Sequence, residues 1–249
     1  MSQRSVVSAL PSAHQPSSKP SHQLSDQSTK KRLSGNVYSP PFPRIPHIST
    51  QSLFKRSVDI VGALFGLGIL SILLVPIAIL IRLDSPGPIF YSQQRFGLQG
   101  KPFRMWKFRS MVSDADALRA SIVSQSKCSL MFKQSNDPRV TRVGRFLRKT
   151  SLDEFPQFWN VLKGEMSLVG TRPPIAEEVA QYSEHHWRRL DVKPGLTGQW
   201  QISGRSAIED FEAVVALDLY YQQRWSRRYD LVILMRTVGI VLSKKSGAF

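Results

Sequence analysis

The sequence predicts a mainly α-helical protein with a small β-hairpin and an N-terminal helix inserted in a membrane. Three observations predict this fold class: a long run without charged residues, two strand-like stretches around a glycine-containing turn, and apolar residues at helical spacing in the second half. The chain has 249 residues and a net charge of +16, which indicates an anionic partner. Its single cysteine, Cys128, excludes an intramolecular disulfide framework.

The first fifty residues differ in composition from the rest of the chain. They hold 12 Ser and 7 Pro, and Asp26 is their one acidic residue. Such a segment buries too little apolar surface to offset the entropy of ordering the chain. We therefore predict a disordered Ser/Pro-rich tail over residues 1–50, a membrane-inserted helix over residues 51–84, and a cytoplasmic, membrane-associated domain over residues 85–249.

The uncharged run Ile60–Ile81 is long enough to cross a bilayer. As an α-helix rising ~1.5 Å per residue it reaches about 33 Å, and the hydrocarbon core is about 30 Å thick. Basic residues flank the run on both sides, with Lys55 and Arg56 before it and Arg82 after it. Basic flanks favour the cytoplasmic side of a membrane. A helix that crosses the membrane once can place only one of its two flanks on that side. Since Pro76 also interrupts helical hydrogen bonding, the residues leave open a tilted span and a re-entrant hairpin.

A β-hairpin is predicted after the membrane segment. The stretches IFYSQQR and FRMWKFR have strand-like composition, and the turn Gly97–Gly100 lies between them. Side chains along a strand alternate between its faces, so Lys107 and Arg109 are expected side by side on the second strand. A solvated basic edge and a site for an anion are both compatible with this pair.

Candidate catalytic residues concentrate between Asp137 and Lys163. Basic side chains of a short amphipathic helix lead up to an acidic pair; they are Arg139, Arg142, Arg145, Arg148 and Lys149. The acidic pair, Asp153 and Glu154, begins a second helix. Ser151 and Glu154 match a helix capping box, which is the structural interpretation. The functional interpretation is that the cations and the helix N-terminus hold a diphosphate against two carboxylates, which also suit Mg²⁺.

Several motifs, taken in order, resemble one known family. The chain carries KRSVDIV, SPGPIFYSQQRFG, KPFRMWKFRSM, DPRVTRVGRFLRKTSLDEFPQFWNVLKGEMSLVGTRPP and KPGLTGQWQISGR. On these motifs it resembles the bacterial sugar transferases, which are monotopic polyprenyl-phosphate sugar-1-phosphate transferases, in a small catalytic-domain form with an extra N-terminal tail. The resemblance implies that a UDP-sugar gives its sugar 1-phosphate to polyprenyl (undecaprenyl) phosphate. This reaction releases UMP and starts the assembly of a lipid-linked polysaccharide or glycan.

The resemblance also implies roles for individual residues. Asp153 is implied as the nucleophile of a covalent phospho-Asp intermediate, and Glu154 joins Asp153 in holding Mg²⁺. Resemblance and charge together assign the substrate phosphates to Lys107, Arg109, Arg148, Arg172 and Arg205. Phosphoryl transfer depends on positioning and charge neutralisation, and these cations supply both.

The expected location is the bacterial cytoplasmic (inner) membrane, with the catalytic domain facing the cytoplasm. The family's re-entrant helix breaks at Ser-Pro, whereas here Ser71 precedes Ile72 and the proline of the run is Pro76. The resemblance implies a re-entrant helix that breaks at Ser71/Ile72 or at Pro76, and a straighter helix is the alternative. Leu231–Leu242 is apolar but short and contains Arg236, which predicts an amphipathic helix at the membrane interface. Expected partners are the UDP-sugar, polyprenyl phosphate, membrane lipids and downstream glycosyltransferases, without nucleic acid; homo-oligomerisation is left open.

Other function classes account for fewer of these features. A membrane-tethered nucleic-acid binder explains the charge, but the chain shows no recognisable nucleic-acid-binding motif. A membrane scaffold explains the tail and the apolar run but needs no acidic pair. A metal-dependent glycosyltransferase would use Asp114 and Asp116 and would release UDP, although these acids also suit a helix start. The sequence leaves the sugar open among glucose, galactose and an N-acetylated sugar, and it leaves the polysaccharide pathway open.

Overall fold

The apolar run folds into one long helix, α1, which extends over Leu53–Asp84. The computed structural model describes residues 43–115, 117, 137–204, 208 and 210–243. Ser52 begins α1, because its side-chain oxygen accepts the N–H of Lys55. The helix continues through Ser71 and Pro76, so the expected interruption is absent. Pro76 removes only one backbone hydrogen bond, and the Ser71 hydroxyl donates to a carbonyl one turn back, so neither residue ends the helix.

One face of α1 packs against the rest of the chain along the full length of the helix. Its buried residues are Lys55, Asp59, Ala63, Gly66, Ile77 and Ile81. Gly66 permits a close approach, since a Cβ at this position would lie 2.4 Å from the Phe158 ring. The other faces expose large apolar side chains such as Phe65 and Ile72. Only 17% of the most apolar 18 residues are buried, and the helix is long and apolar enough to cross a membrane.

The predicted β-hairpin is present. Strand β1 (Phe90–Phe96) pairs antiparallel with β2 (Pro102–Phe108). The turn between them holds Gln99 in the left-handed conformation, with φ of 54°. Phe103 and Met105 of β2 are buried, and they anchor the hairpin in the core.

Short elements follow the hairpin, and a second pair of strands forms among them. In the part of the chain that the structure describes, the later elements are α2 (Arg142–Lys149), α3 (Gln157–Lys163), β3 (Ser167–Val169), α4 (Ala176–Val179), α5 (Glu184–Trp187), β4 (Gly195–Thr197), α6 (Gln199–Ile202), α7 (Phe211–Arg224) and α8 (Arg227–Leu242). The strands β3 and β4 pair in parallel, which the sequence did not predict. Their backbones lie so close that a Cβ at Gly195 would be 2.1 Å from the Gly170 nitrogen.

The main core joins α1 to the strands and the last two helices. Its buried members are Ala63, Phe103, Met105, Val161, Met166, Leu168, Val169, Tyr221 and Ile233. The mainly helical fold class with a small β-hairpin and one long apolar helix is thereby confirmed. The placement of α1 in a membrane and the cytoplasmic position of the remaining residues stay predictions.

The segment before α1 is folded from residue 43 onward. Arg44 donates two hydrogen bonds to the Asp191 carboxylate, at 2.7 and 2.6 Å, and the His47 N–H donates to the Asp191 carbonyl at 2.8 Å. A 3-10 turn over Ile48–Gln51 then leads into the long helix. The expected tail boundary at residue 50 is therefore too late, and residues 1–42 lie outside the described part of the chain.

Candidate active site

The acidic pair lies on a sharply turned segment between α2 and α3. Ser151 has φ of 57° and ψ of 16°, a left-handed conformation that costs a residue other than glycine about 1–2 kcal/mol. The 3-10 turn Leu152–Glu154 follows directly and carries Asp153 and Glu154. The Ser151 side chain makes no capping hydrogen bond. The capping-box interpretation of Ser151 and Glu154 is therefore wrong, and helix capping does not account for the acids.

Lys107 brings a cation to both acids from strand β2. Its Nζ lies 3.0 Å from Oε1 of Glu154 and 3.9 Å from Oδ2 of Asp153. Asp153 is buried, with 6% of its surface exposed, whereas Glu154 and Lys107 are half-buried. Because charges interact more strongly where water is partly excluded, the ammonium offsets the mutual repulsion of the two carboxylates.

Arg148 lies shortly before the acids, at the end of α2, and is held by the segment that follows β2. Its Nε donates to the Ser110 hydroxyl at 2.9 Å. Gly144 of the same helix packs so closely that a Cβ would lie 2.0 Å from the Ser110 carbonyl oxygen. Arg139 donates to the Asp137 carboxylate at 2.7 to 3.2 Å, and these hydrogen bonds lower the pKa of Asp137. Close packing thus fixes the position of the basic helix that leads to the acids.

Arg172 belongs to a second basic cluster, in the loop after β3. Its Nη1 donates to both oxygens of the buried Glu178, at 3.0 and 2.9 Å, and its guanidinium lies 6.0 Å from the centre of the Trp200 ring. Arg95 of β1 lies nearby, and burial together with the charge of Arg172 lowers the pKa of Arg95 to about 10. Arg95 itself donates to the Pro173 carbonyl at 3.0 Å and to Gln93 Oε1 at 2.7 Å, so it leaves the Glu178 carboxylate to Arg172. The cluster thus carries more positive than negative charge, an arrangement that suits the binding of an anion.

The other two cations that were predicted to bind substrate are Arg109 and Arg205. Arg109 is buried and donates to the carbonyls of Ser85 and Pro86, at 2.5 and 2.8 Å. Burial and the neighbouring Arg82 lower the pKa of Arg109. Its contacts hold the turn after α1, so Arg109 and Lys107 have different neighbours although they are two residues apart. Arg205 lies outside the described residues.

The motifs around these residues match a described protein family. A family model for bacterial sugar transferases matches residues 50–244. The chain belongs to the bacterial sugar transferase family. The resemblance drawn from the sequence motifs is thereby confirmed, and the match covers the hairpin, the acidic pair and the loop of Arg172.

Named relatives of the chain differ in length. The chain is 48% identical over 210 residues to the galactosyl transferase CpsE of Streptococcus agalactiae, which covers 83% of this chain and 45% of CpsE. It is 43% identical over 206 residues to the UDP-glucose:undecaprenyl-phosphate glucose-1-phosphate transferase of Escherichia coli. This alignment covers 80% of this chain and 42% of the Escherichia coli protein. It is 40% identical over 198 residues to the exopolysaccharide production protein ExoY of Rhizobium meliloti. This alignment covers 77% of this chain and 87% of ExoY. The chain therefore spans less than half the length of the first two relatives.

One residue near the candidate site was not predicted from the sequence. The structure brings Lys107, Asp153 and Glu154 into direct contact, but the contribution of Arg95 was not predicted. The period-two pattern of β1 could have revealed it. Tyr91 pairs with Lys107, and Arg95 lies four residues further along the same face of the hairpin.

The acidic pair could hold a magnesium ion only together with a ligand that supplies further oxygens. Among the described residues, no group of three or more His, Cys, Asp or Glu side chains could bind a metal. Asp153 and Glu154 offer carboxylate oxygens, which Mg²⁺ prefers, and it commonly takes its other ligands from phosphates and water. Lys107 already contacts both acids. The residues present thus fit a magnesium ion that shares the acids with Lys107 and depends on substrate oxygens.

Proposed function

We propose that this protein transfers a sugar 1-phosphate from a UDP-sugar to polyprenyl (undecaprenyl) phosphate and releases UMP. The observation that carries the proposal is the buried carboxylate of Asp153 on a strained turn, next to Glu154 and Lys107. Family membership supports the reaction class. The printed name of the Escherichia coli relative supports UDP-sugar and undecaprenyl phosphate as substrates.

The proposed chemistry has two displacements at the same phosphorus. First, a carboxylate oxygen of Asp153 attacks the phosphorus that carries the sugar, and the bond from this phosphorus to the bridging oxygen breaks. UMP leaves with that oxygen and its electron pair, and the sugar phosphate stays on Asp153 as an acyl phosphate. Second, an oxygen of polyprenyl phosphate attacks the phosphorus and the Asp153 carboxylate leaves. Both attacking groups are oxygen anions, so neither step needs a general base.

The surrounding cations are proposed to hold and neutralise the phosphates. Lys107 lies close to both acids, so its ammonium would stabilise the negative charge that develops on the transferred phosphoryl group. Arg148 and the cluster of Arg172 with Arg95 would bind the flanking phosphates of the two substrates. A bound Mg²⁺ at Asp153 and Glu154 would reduce the repulsion between these acids and a diphosphate.

We also propose that both ends of α1 lie on the cytoplasmic side of the bacterial inner membrane. Each end is held by later elements of the chain. Near the start, Lys55 Nζ donates to the Val169 carbonyl at 2.8 Å, and at the end, Asp84 accepts the N–H of Val143 at 2.8 Å. A helix that crossed the bilayer would separate these contacts by the thickness of the membrane. The contacts along the whole of this unbroken helix therefore favour a shallow insertion.

The last helix supports association with the membrane surface. Helix α8 has exposed apolar side chains over most of its length; they are Leu231, Val232, Met235, Val238, Val241 and Leu242. Such a helix is suited to lie in the interface, with its apolar side chains among the acyl chains. Downstream glycosyltransferases and a homo-oligomer remain expectations about the protein's partners.

Accessibility of introduced cysteines tests the proposed topology. Gln51 and Pro88 are exposed and flank α1, so each is replaced by cysteine in a Cys128→Ser background. Both sites should react with a membrane-impermeant maleimide only after the cytoplasmic face is opened. Reaction of the two sites from opposite faces would establish a true span and contradict the proposal.

Nucleotide release tests the reaction. The purified full chain is mixed with undecaprenyl phosphate and with UDP-glucose, UDP-galactose or a UDP-N-acetylhexosamine, and the nucleotide product is identified. We expect UMP and a lipid-linked diphosphate sugar with one of these donors. Release of UDP instead would indicate a glycosyltransferase that uses Asp114 and Asp116. Asp116 lies outside the described residues.

A further inference from the structure

Gln157 follows the acidic pair on a continuous right-handed backbone. It is the first residue of α3, and Phe155 and Pro156 before it both have right-handed helical φ and ψ. Hydrogen bonds from the Phe155 N–H to the Leu152 carbonyl and from the Phe158 N–H to the Phe155 carbonyl connect the 3-10 turn to the helix. Gln157 therefore lies about one turn beyond Asp153 in a rigid segment.

The side chain of Gln157 is buried without a hydrogen-bond partner for its amide nitrogen. The residue is 3% exposed, and within the described part of the chain no acceptor pairs with Nε2. An unpaired buried donor destabilises a folded protein, so such groups are uncommon and are typically satisfied when a ligand or water binds.

Asn160 lies on the same face of α3, and its side-chain amide has hydrogen-bond partners for both its oxygen and its nitrogen. Its Oδ1 accepts the N–H of Trp106 at 3.2 Å, and its Nδ2 donates to the Arg104 carbonyl and to Glu165, both at 2.7 Å. Asn160 thus joins α3 to β2 through both ends of its amide. Gln157, three residues earlier, makes no comparable connection through Nε2.

The contacts with β2 place Gln157 next to the acidic pair. The 3-10 turn meets β2 at Lys107, which contacts Glu154, and α3 meets β2 at Arg104 and Trp106 through Asn160. The two segments therefore run in opposite directions along each other. Along the chain Gln157 lies midway between these two points of contact, three residues after Glu154 and three residues before Asn160.

We infer that Gln157 binds substrate, with its side-chain amide donating a hydrogen bond to a phosphoryl oxygen of the nucleotide-sugar diphosphate held at Asp153. The inference rests on the proposed function, because it takes the diphosphate as the ligand of the acidic pair. The diphosphate carries several non-bridging oxygens, and the cations and acids cannot contact all of them from one side. A neutral donor adds a directed hydrogen bond without adding charge to the cluster.

The test compares stability and chemistry in the same variants of the full chain. Gln157→Met keeps the approximate shape and removes the donor, and Gln157→Glu replaces the donor with an acceptor. Release of UMP from the UDP-sugar is measured without polyprenyl phosphate, and the melting temperature is measured without substrate. We expect Gln157→Met to melt at or above the wild-type temperature while its UMP release slows about 10- to 100-fold. Gln157→Glu should lose at least as much activity and should bind the UDP-sugar more weakly.

Two control variants separate the failure of this inference from the failure of the proposed function. Asn160→Leu should lower the melting temperature and the active fraction together, as expected for a structural amide. Asp153→Asn should abolish UMP release. If Asp153→Asn is inactive while Gln157→Met releases UMP at the wild-type rate, or if Gln157→Met loses stability as Asn160→Leu does, Gln157 does not bind substrate. UMP release by Asp153→Asn would instead overturn the proposed function.

Discussion

A buried ion pair between Lys55 and Asp230 fastens the start of α1 to α8, and its removal should destabilise the protein strongly. Lys55 Nζ lies 2.8 Å from Asp230 Oδ2, and both side chains are at most 10% exposed. Asp230 also accepts hydrogen bonds from Tyr221 at 2.8 Å and from Trp225 at 3.1 Å. Breaking a buried pair costs about 3–5 kcal/mol. Since Lys55→Met leaves two neutral donors on the carboxylate, we expect about 3 kcal/mol, at the lower end of this range.

The loss should be visible in thermal unfolding. In a chain of about this size 1 kcal/mol shifts the melting temperature by about 2–4 °C, so Lys55→Met should lower it by about 6–12 °C. Asp230→Asn should cost a similar amount, because it leaves a buried ammonium. The double variant should cost at least about 1 kcal/mol less than the sum, since the two residues act as a unit. Arg228→Met, which changes an exposed residue on the same helix, serves as the control.

Tryptophan fluorescence of the protein in detergent micelles is the assay for both single variants, the double variant and the control. Two results would refute the reasoning. A shift below about 2 °C for Lys55→Met would mean that the pair contributes little, as exposed ion pairs do. Strict additivity in the double variant would mean that Lys55 and Asp230 stabilise the fold independently of each other.

Three further predictions concern the acidic pair. Asp153→Asn should abolish UMP release, because a side-chain amide cannot act as the attacking carboxylate; retained release would exclude Asp153 as the nucleophile. Ser151→Gly should stabilise the protein by about 1 kcal/mol by removing left-handed strain, and Ser151→Ala should be nearly neutral; a loss above about 1 kcal/mol for alanine would reinstate the capping box. Glu154→Gln should raise the Mg²⁺ concentration needed for half-maximal UMP release, and an unchanged titration would oppose a role in metal binding.

The elements that the sequence predicted are those with a strong local pattern. The apolar run, the alternating strands of the hairpin and the apolar repeat in α3 each depend on periodicity that is visible in one window. The pair β3–β4 has no such signal, because each strand is three residues long and its partner lies far along the chain. The predicted helix start at Ser151 failed for a related reason. Its residue types match a capping box, but the Ser151 backbone is left-handed and its side chain makes no capping hydrogen bond.

The site was predicted only in part, for similar physical reasons. The acids were found from the resemblance and from the neighbouring cations. Their contact with Lys107 could not be read from spacing, because β2 and the 3-10 turn are distant in sequence and meet through tertiary packing. Strand alternation grouped Arg109 with Lys107, but β2 ends at Phe108 and the Arg109 guanidinium satisfies carbonyls of a turn. The unpaired amide of Gln157 is a property of burial, which no sequence pattern reveals.

The two ends of α1 hold the two halves of the candidate site. At its start, Asp59 accepts hydrogen bonds from the Ser167 hydroxyl and the Leu168 N–H, at 2.9 and 2.8 Å, and so fixes the strand that leads to Arg172. At its end, Asp84 accepts the N–H of Val143 in the first turn of the helix that leads to Asp153. A change in the tilt or bend of α1 would therefore move Arg172 and Asp153 relative to each other. If the acceptor is a lipid phosphate, as we propose, the same helix sets the depth of the protein in the membrane and the spacing of the groups that meet that phosphate.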